Sequence, residues 1–262
     1  MRVAVVGATG AVGREMIRIL EERSFPLDEL VPLASPRSEG TRLPFRGNDV
    51  RVEVLTPEAL RGADLALVSA GASVSKQFIP AAAEAGTVCI DNSPAFRMDP
   101  DVPLAIPEIN PESLEGSPRI VAVANCTTIT AVMPLGPLHR AAGLRSLVLS
   151  SYQSVSGAGQ KGIRELAEQI EKLHGTEEEM GRAEWSSMPS GEVFGKTIAY
   201  NVVAKIADFS DGGFTGEELK MMSEPRKILG IPDLEVAATA VRVPVPVGHA
   251  VSIAARFSRD IS

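Results

Sequence analysis

Cysteine is scarce in this chain, with only Cys89 and Cys126 among 262 residues. Two thiols cannot form the disulfide framework that stabilises small secreted domains. The N-terminus opens with MRVAVVG and shows no charged leader, apolar segment or small-residue cleavage site. These absences predict a cytoplasmic protein whose thiols are reduced and available for chemistry.

Long apolar runs and an excess of basic residues are also missing. No run approaches the roughly 20 residues that a transmembrane helix needs. Lysine and arginine number 26 against 33 aspartates and glutamates, a formal net charge of -7 with the charges scattered. Such a field repels nucleic acid and anionic membranes, so the sequence predicts neither as a partner and favours a small-molecule substrate.

The first half of the chain alternates short apolar runs with segments of helical spacing. The pattern predicts a helix at residues 74–85 and buried strands at 2–6, 30–34, 50–54, 63–69 and 87–91. This βαβ periodicity predicts an α/β fold with a doubly wound, Rossmann-type parallel sheet. Cys89 lies inside a predicted strand, where a small buried hydrophobe is expected, and it is excluded from catalysis.

A glycine-rich turn follows the first predicted strand and precedes a predicted helix. Glycines here allow a sharp turn, close approach to a pyrophosphate and tight packing of helix on strand. The GxxGxxG spacing departs from the commonest dinucleotide form, and a tight turn without ligand is the alternative. The residues predicted to bind a nucleotide cofactor are Gly7, Thr9, Gly10, Ala11, Val12 and Gly13.

The second predicted strand ends in Ser35, Pro36, Arg37 and Ser38. An NAD enzyme usually carries an acid here, about 20 residues after the glycines, to bind the ribose hydroxyls. A guanidinium with two hydroxyls suits a 2′-phosphate instead. Ser35, Arg37 and Ser38 therefore predict NADP, the alternative being that Arg37 is an ordinary loop cation.

Two segments follow later strands at the carboxyl edge of the predicted sheet, where open α/β sheets bind ligands. Arg97 follows strand 87–91 and could hold an anion, or form a salt bridge to Asp99 or Asp101. Asn125 and Cys126 follow a predicted strand at 120–123 and begin an apolar helix. The helix dipole lowers the pKa of a thiol placed there, and Asn125 could stabilise an oxyanion. A buried structural cysteine is the alternative.

The second half contains further residues that could contact a carbonyl substrate or the cofactor. A predicted strand at 147–151 runs into a glycine-rich turn, in which Gln153 can orient a carbonyl while Ser156 and Gly157 let a nicotinamide lie close to the thiol. Glu217 and Lys220 share part of one face of a helix that Thr215 caps, so they could contact a ligand or simply pair with each other.

Arg242 and His249 are isolated in an apolar, proline-stiffened stretch. Burial of either side chain requires an anionic or polar partner. His249 is the best candidate for a general acid or base, because His139 and His174 lie in polar surroundings typical of the surface.

Taken together, these residues resemble the aspartate-semialdehyde dehydrogenases over nearly the whole chain. The resemblance implies a cysteine nucleophile, an acid/base histidine and an orienting glutamine at Cys126, His249 and Gln153, with Asn125 beside the nucleophile. It further implies that Arg242 binds the substrate carboxylate, Glu217 its amino group, and Arg97 and Lys220 its phosphate. No metal ion is expected.

The implied reaction is NADPH-dependent reductive dephosphorylation of L-aspartyl-4-phosphate through a thioester, a step of lysine, threonine, methionine and isoleucine biosynthesis. The resemblance implies an NADP-binding domain at 1–124 and an α+β substrate and dimerisation domain at 125–262, assembled as a homodimer or homotetramer. N-acetyl-gamma-glutamyl-phosphate reductase and an inactive nucleotide-binding fragment are the alternatives.

Two features depart from the family pattern. Ala124 stands where the family more often has proline, a mild change at a strand end. Family members also continue for several tens of residues beyond Ser262, so the sequence is expected to be a fragment or a shortened relative.

Overall fold

The computed structural model describes residues 1–182, 188–210 and 212–261. The chain divides into two compact units. The first unit comprises Met1–Asn125 with Lys227–Ile231, and the second comprises Cys126–Arg226 with Pro232–Ser262. Across the described ranges, none of the helices combines the length and apolar character that crossing a bilayer would require.

The first unit is built on a parallel sheet of seven strands. Its helices are α1 (Ala11–Glu22), α2 (Pro57–Arg61) and α3 (Ala72–Glu84). Its strands are β1 (Arg2–Val6), β2 (Glu29–Ala34), β3 (Arg42–Phe45), β4 (Asn48–Arg51), β5 (Glu53–Val54), β6 (Leu65–Val68), β7 (Val88–Asp91), β8 (Leu104–Ala105) and β9 (Ile120–Val123). The sheet order is β5-β2-β1-β6-β7-β9-β8, while β3 and β4 form a separate hairpin. The chain order reverses beside β1, the switch point at which such sheets bind ligands.

Strand β1 is buried on both faces, as its unbroken apolar run predicts. Val3 and Val5 pack in a cluster with Ile17 and Leu20 of α1. Ala4 and Val6 pack on the opposite face with side chains of α2 and α3. The predicted doubly wound sheet is therefore confirmed.

Cys89 belongs to the core on that second face and is fully buried. Burial, reinforced by the negative charge of Asp91, raises the pKa of the Cys89 thiol to about 11. A protonated, inaccessible thiol cannot serve as a nucleophile.

The prediction of a single strand at residues 50–54 was wrong. Arg46 and Gly47 both have positive φ, at 50° and 76°, and form a two-residue turn that pairs β3 with β4. Such turns match the natural twist of a hairpin. Residues up to Arg51 belong to the hairpin, and Glu53 and Val54 form the short strand β5, which pairs with β2 at the edge of the main sheet.

The second unit is an α+β arrangement around a three-stranded mixed sheet. Its helices are α4 (Cys126–Ala142), α5 (Gln160–Leu173), α6 (Glu177–Gly181) and α7 (Gly216–Leu229). Its strands are β10 (Leu144–Gln153), β11 (Glu235–Arg242) and β12 (Ala250–Phe257). The central strand β10 runs parallel to β11 and antiparallel to β12.

Helix α5 holds the segment around residues 193–199 through two polar side chains. The Gln169 side-chain oxygen accepts hydrogen bonds from the backbone of Ile198 at 2.8 Å and Ala199 at 3.1 Å. The Glu165 carboxylate accepts from the backbone of Val193 at 2.6 Å and Phe194 at 3.2 Å. These bonds satisfy backbone donors that no helix or sheet would satisfy.

Candidate active site

The glycine turn of the first unit is fixed by close backbone contacts. Gly7 has a φ of +82°, and a Cβ there would lie 2.4 Å from the carbonyl oxygen of Ser69. A Cβ at Gly13 would lie 2.2 Å from the carbonyl oxygen of Gly7. No side chain fits at either position. Helix α1 begins immediately after Gly10, which has no side chain to cap it, so the N-H groups of the first turn suit a phosphate.

A cavity of about 390 Å³ opens beside this turn. It is bounded by Gly7 and Thr9 of the turn and by Ala34 and Ser35 at the end of β2. Its walls are mainly apolar and include Leu55 and Phe78. An apolar cavity bordering a glycine turn and a helix N-terminus fits an adenine ring with its pyrophosphate, so the residues present are compatible with a dinucleotide.

The segment predicted to bind the 2′-phosphate of the ribose lies at the rim of this cavity. Ser35 precedes a 3-10 turn at Pro36–Ser38, and the Arg37 side chain is exposed. The hydroxyl of Ser38 lies 3.2 Å from that of Thr9, which ties the rim to the glycine turn. Ala11 is partly buried, and Val12 is 44% exposed on the first turn of α1.

Arg97 is buried at the carboxyl ends of the central strands of the first unit. Its guanidinium donates to the carbonyl oxygens of Val123 at 2.8 Å and Asn92 at 2.9 Å. Asn125, two residues beyond β9, is also buried. The sheet therefore holds both side chains at the edge where ligands bind in this fold.

Lys227 supports the loop that carries Arg97, a role that no pattern around Lys227 in the sequence signals. Its ammonium donates to the carbonyl oxygens of Arg97, Asp99 and Val102 at 2.9, 2.6 and 2.8 Å. Burial lowers the pKa of Lys227, and the charge of Asp99 opposes that shift. Three carbonyls around one ammonium fix the path of the loop.

Cys126 is the first residue of α4, and its side chain is exposed. The next two residues, Thr127 and Thr128, are buried. The thiol thus lies at the positive end of the helix dipole, where solutes can reach it. The alternative of a buried structural cysteine does not describe this position.

Gln153, Glu217 and Lys220 form a chain of polar contacts in the second unit. Gln153 ends β10, is 2% exposed, and donates to Glu217 at 3.0 Å and to the hydroxyl of Ser151 at 3.2 Å. Glu217 also pairs with Lys220 at 3.0 Å, so the intrahelical ion pair, one of the two alternatives for these residues, is present. Glu217 therefore presents a buried negative charge that is held from two sides.

The start of α7 has the predicted cap. The backbone N-H of Thr215 donates to the Glu218 carboxylate at 2.7 Å, while the Glu218 N-H donates to the Thr215 hydroxyl at 3.4 Å. The other carboxylate oxygen of Glu218 accepts from the backbone of Ala240 on β11 at 3.2 Å. This capping box fixes α7 against the sheet and thereby the position of Glu217.

Arg242 ends β11 and is 7% exposed. Its Nη1 donates to the carbonyl oxygen of Ser154 at 2.7 Å, and its Cζ lies 5.7 Å from the centre of the Phe194 ring. Its Nε is buried and has no hydrogen-bond acceptor among residues 1–182, 188–210 and 212–261. Burial lowers the pKa of Arg242, and the charges of Glu217 and Cys126 oppose the shift. A guanidinium stays protonated in proteins, so this is a buried cation with a donor available to an anion.

Arg242 also lines a cavity of about 330 Å³ in the second unit. Phe194, Lys205 and Asp208 contribute to the same lining. This cavity gives a small ligand access to the buried guanidinium, as a substrate anion would require.

His249 is partly buried beside Arg242. Its Nδ1 accepts a hydrogen bond from the backbone N-H of Ser154 at 3.0 Å, so the neutral ring carries its proton on Nε2. Burial, followed by the positive charge of Arg242, lowers the pKa of His249, while Glu217 opposes the shift. The imidazole is therefore neutral near pH 7.

The turn after β10 brings these groups together. A Cβ at Gly157 would lie 2.7 Å from Nη1 of Arg242 and in ordinary contact, 3.7 Å, with Cε1 of His249, so glycine here leaves room for the guanidinium in its present position. The hydroxyl of Ser156 lies 2.9 Å from that of Ser154. Two residues that the sequence did not single out, Ser154 and Phe194, thus contact the predicted site, and neither residue type nor spacing signals them.

Two family models match the chain. The first is described as semialdehyde dehydrogenase, NAD binding domain, and matches residues 2–117. The second is described as semialdehyde dehydrogenase, dimerisation domain, and matches residues 135–262.

Individual relatives match over almost the entire chain. An aspartate-semialdehyde dehydrogenase of Aquifex aeolicus is 46% identical over 264 residues, covering 100% of this chain and 75% of the relative. One of Bacillus subtilis is 44% identical over 261 residues, covering 99% of this chain and 74% of the relative.

A solved structure has the same fold. Aspartate semialdehyde dehydrogenase II of Vibrio cholerae, complexed with ASA, superposes with a TM-score of 0.92 at 42% identity, covering 99% of this chain and 75% of that one. The enzyme of Candida albicans with NADP gives a TM-score of 0.71 at 26% identity, covering 100% of this chain and 72% of that one.

Proposed function

Since the chain belongs to the aspartate-semialdehyde dehydrogenase family, we propose that it reduces L-aspartyl-4-phosphate to L-aspartate 4-semialdehyde and phosphate through a thioester on Cys126. The observation that carries the proposal is the exposed thiol at the start of α4, in the same compact unit as the buried guanidinium of Arg242. The product of this reaction leads to lysine, threonine, methionine and isoleucine.

The covalent step requires a thiolate and a proton acceptor. The sulfur of Cys126 attacks the acyl carbon, the bond to the phosphate oxygen breaks, and a thioester remains. Gln153 and Asn125 orient and polarise the acyl oxygen. His249 exchanges the proton through Nε2, the ring nitrogen that Ser154 does not contact, in the ring form that carries a proton on Nδ1. A dinucleotide held at the glycine turn before α1 would supply the hydride that reduces the thioester carbon. The C-S bond then breaks, the thiolate of Cys126 is regenerated, and the aldehyde leaves.

The remaining charges suit the other groups of the substrate. The Nε of Arg242 can bind the carboxylate, since a guanidinium binds carboxylates in a planar, two-point geometry. Glu217 supplies a buried negative charge for the ammonium group. Lys220 and Arg97 are the cations assigned to the phosphate.

NADP is the cofactor that the rim of the nucleotide cavity favours. Arg37 is exposed there, and Ser35 and Ser38 lie on either side of it in the sequence. The acid that follows this turn, Glu39, pairs with Arg51 at 3.7 Å, and the turn Pro36–Ser38 itself carries an arginine where NAD enzymes usually have an acid for the ribose hydroxyls. The Gly157 turn, next to His249, is assigned to the nicotinamide end together with Ser156. A reduced thiol is needed throughout, so we place the reaction in the cytoplasm.

We further propose a homodimer formed through the uncovered face of the second sheet. Leu147 and Leu149 of β10 are buried, whereas Val148 and Tyr152, on the opposite face, are 56% and 47% exposed. Val148 is flanked by Ala237 of β11 and Ala254 of β12. The charges of this face, Glu235 and Arg256, flank Ser146 at one end, and the rest of it is uncharged. A sheet face of this kind suits a second copy of itself, and the match to a dimerisation domain supports that occupant.

Sedimentation of the protein tests the dimer. Val148→Asp should shift the population to monomer, because it places two charges in the contact around the twofold axis. Val202→Asp, at a side chain equally exposed in the same unit but outside the sheet, should leave the dimer intact. Dissociation by both variants, or by neither, contradicts this assignment.

Mass spectrometry tests the reaction. Mixing the protein with L-aspartyl-4-phosphate in the absence of NADPH should add one acyl group to Cys126 and none to Cys89. Cys126→Ser should abolish both the adduct and NADPH oxidation, whereas Cys89→Ala should retain them. No adduct on Cys126 would end the enzymatic proposal.

The same assay with a second acyl phosphate tests which substrate the protein uses. N-acetyl-gamma-glutamyl phosphate should fail, because its amide nitrogen carries no positive charge for Glu217. Acylation by this compound alone would identify an N-acetyl-gamma-glutamyl-phosphate reductase.

A further inference from the structure

Ser154 connects the two buried basic groups of the second unit. It is fully buried at the end of β10. Its N-H donates to Nδ1 of His249 at 3.0 Å, and its carbonyl oxygen accepts from Nη1 of Arg242 at 2.7 Å. Its hydroxyl lies 3.1 Å from the same Nδ1 and 2.9 Å from the hydroxyl of Ser156. All three polar groups of this residue therefore face the site.

The backbone contact alone would prevent His249 from acting as an acid or base. With Nδ1 accepting from the Ser154 N-H, the neutral ring holds its proton on Nε2 and has no lone pair there. Proton exchange at Nε2 requires a ring protonated at Nδ1, both before Nε2 gains a proton and after it releases one. A proton on Nδ1 would face the N-H of Ser154, so two donors would meet without an acceptor.

The hydroxyl of Ser154 is the acceptor within reach of Nδ1. In the resting ring the hydroxyl can donate to Nδ1. When Nδ1 is protonated, the hydroxyl can rotate, accept from Nδ1-H and direct its own proton toward the Ser156 oxygen. No covalent bond of either serine changes, and the two ring forms exchange through solvent because His249 is only partly buried.

We propose that Ser154 is a positioning residue whose hydroxyl, backed by that of Ser156, accepts from Nδ1 of His249 and so permits proton exchange at Nε2. The charges facing the ring are Arg242 on β11, which disfavours the imidazolium, and Glu217 on α7, which favours it while paired with Lys220. The backbone N-H of Ser154, like Arg242, disfavours the imidazolium of His249. The Ser154 hydroxyl differs from both because it can either donate to Nδ1 or accept from it.

Nitrogen NMR of protein labelled with ¹⁵N-histidine tests the proposal without turnover. The chain has three histidines, and His249→Asn identifies the resonances of His249. Near pH 8 the wild-type ring should show an unprotonated Nδ1. In Ser154→Ala the imidazolium loses its acceptor but the backbone N-H remains, so the pKa of His249 should fall by about one pH unit, the usual scale for one lost buried hydrogen bond.

Kinetics supply a second readout, which rests on the function proposed above. Ser154→Ala should lower kcat about tenfold and leave KM nearly unchanged, because the backbone carbonyl still holds Arg242. Ser154→Thr keeps a hydroxyl and should restore the pKa of His249. Ser223→Ala removes a hydroxyl that donates to the carbonyl oxygen of Leu219 within α7 and serves as the control.

The two readouts separate the two proposals. An unchanged or raised pKa of His249 in Ser154→Ala, with the variant folded by thermal denaturation, would overturn the role of Ser154. Failure of the wild-type protein to acylate or turn over would overturn the proposed function, while the NMR titration would still decide whether the hydroxyl controls Nδ1.

Discussion

The two units build their sites by different means. In the first unit the candidate cofactor site depends on backbone. A Cβ added at Gly7 or Gly13 would lie only 2.4 or 2.2 Å from a carbonyl oxygen, so both positions require glycine. The start of α1 presents backbone N-H groups. In the second unit the site depends on buried side chains whose charges act on one another. Arg242 and His249 reach the same serine from positions 88 and 95 residues away in sequence.

This difference determines which substitutions each unit tolerates. A backbone site fails when any side chain is added, whatever its chemistry. A site of paired charges keeps its shape under conservative change but loses specific functions.

Gly13→Ala should have the largest effect, lowering both the stability of the first unit and its binding of a dinucleotide. Its Cβ would meet the carbonyl oxygen of Gly7 at 2.2 Å and Cα of Ala8 at 2.8 Å, both backbone atoms that cannot rotate away. We expect the free energy of unfolding to fall by about 3 kcal/mol and dinucleotide binding to be lost. Urea denaturation and NADPH fluorescence titration measure the two effects.

Gly181→Ala is the control for this change, because a Cβ there meets nothing within 4 Å. It should alter stability by less than about 0.5 kcal/mol. If Gly13→Ala were equally mild, the backbone interpretation of the first site would be wrong.

Arg242→Lys should leave the fold intact and impair substrate binding. A lysine keeps the charge but loses the planar pair of donors and the stacking on Phe194. KM for L-aspartyl-4-phosphate should rise about 30-fold, equivalent to about 2 kcal/mol, with a smaller change in kcat.

Arg164→Lys, at an exposed position on α5, provides the matched control and should leave KM unchanged. Equal KM values for Arg242→Lys and the wild type would show that the guanidinium does not bind the carboxylate.

The same contrast explains how far sequence could predict the molecule. Strand β1, the glycine turn and α1 follow one another locally, so an apolar run and three glycines sufficed to predict them. The hairpin of β3 and β4 was missed because its turn uses Arg46 at positive φ, a conformation that the residue type does not signal.

In the second unit, the position of Cys126 at a helix start was predicted from its local context. The role of Ser154 was not, because it arises from bonds to residues that only the folded sheet brings near. Lys227, which belongs to the first unit, is a similar case, since its carbonyl partners lie 125 to 130 residues earlier in the chain. Contacts across such separations leave no periodic pattern in sequence.

Arg37→Gln should sharpen the cofactor prediction with a moderate effect. Loss of the guanidinium removes the charge assigned to the 2′-phosphate but leaves the glycine turn untouched, so binding of NADH should change little. The ratio of kcat/KM for NADPH to that for NADH should fall about tenfold. Arg42→Gln, an exposed arginine of β3, should keep the wild-type ratio, and a similar drop in that variant would indicate only a general loss of positive charge.

The smallest expected effect is a pH dependence of stability that arises from His249. The pKa of His249 is lowered in the folded chain, so above about pH 7 the ring is neutral in both the folded and the unfolded chain. Its ionisation then contributes nothing to the free energy of unfolding. As the pH falls through about 6.5, the unfolded chain takes up a proton that the folded chain resists, and stability decreases. Because the ring is only partly buried, solvent screening keeps the loss below about 1 kcal/mol. Urea midpoints at pH 7.5 and 5.5 should therefore differ less in His249→Asn than in the wild type. An identical difference would show that burial and the charge of Arg242 do not lower the pKa of this ring.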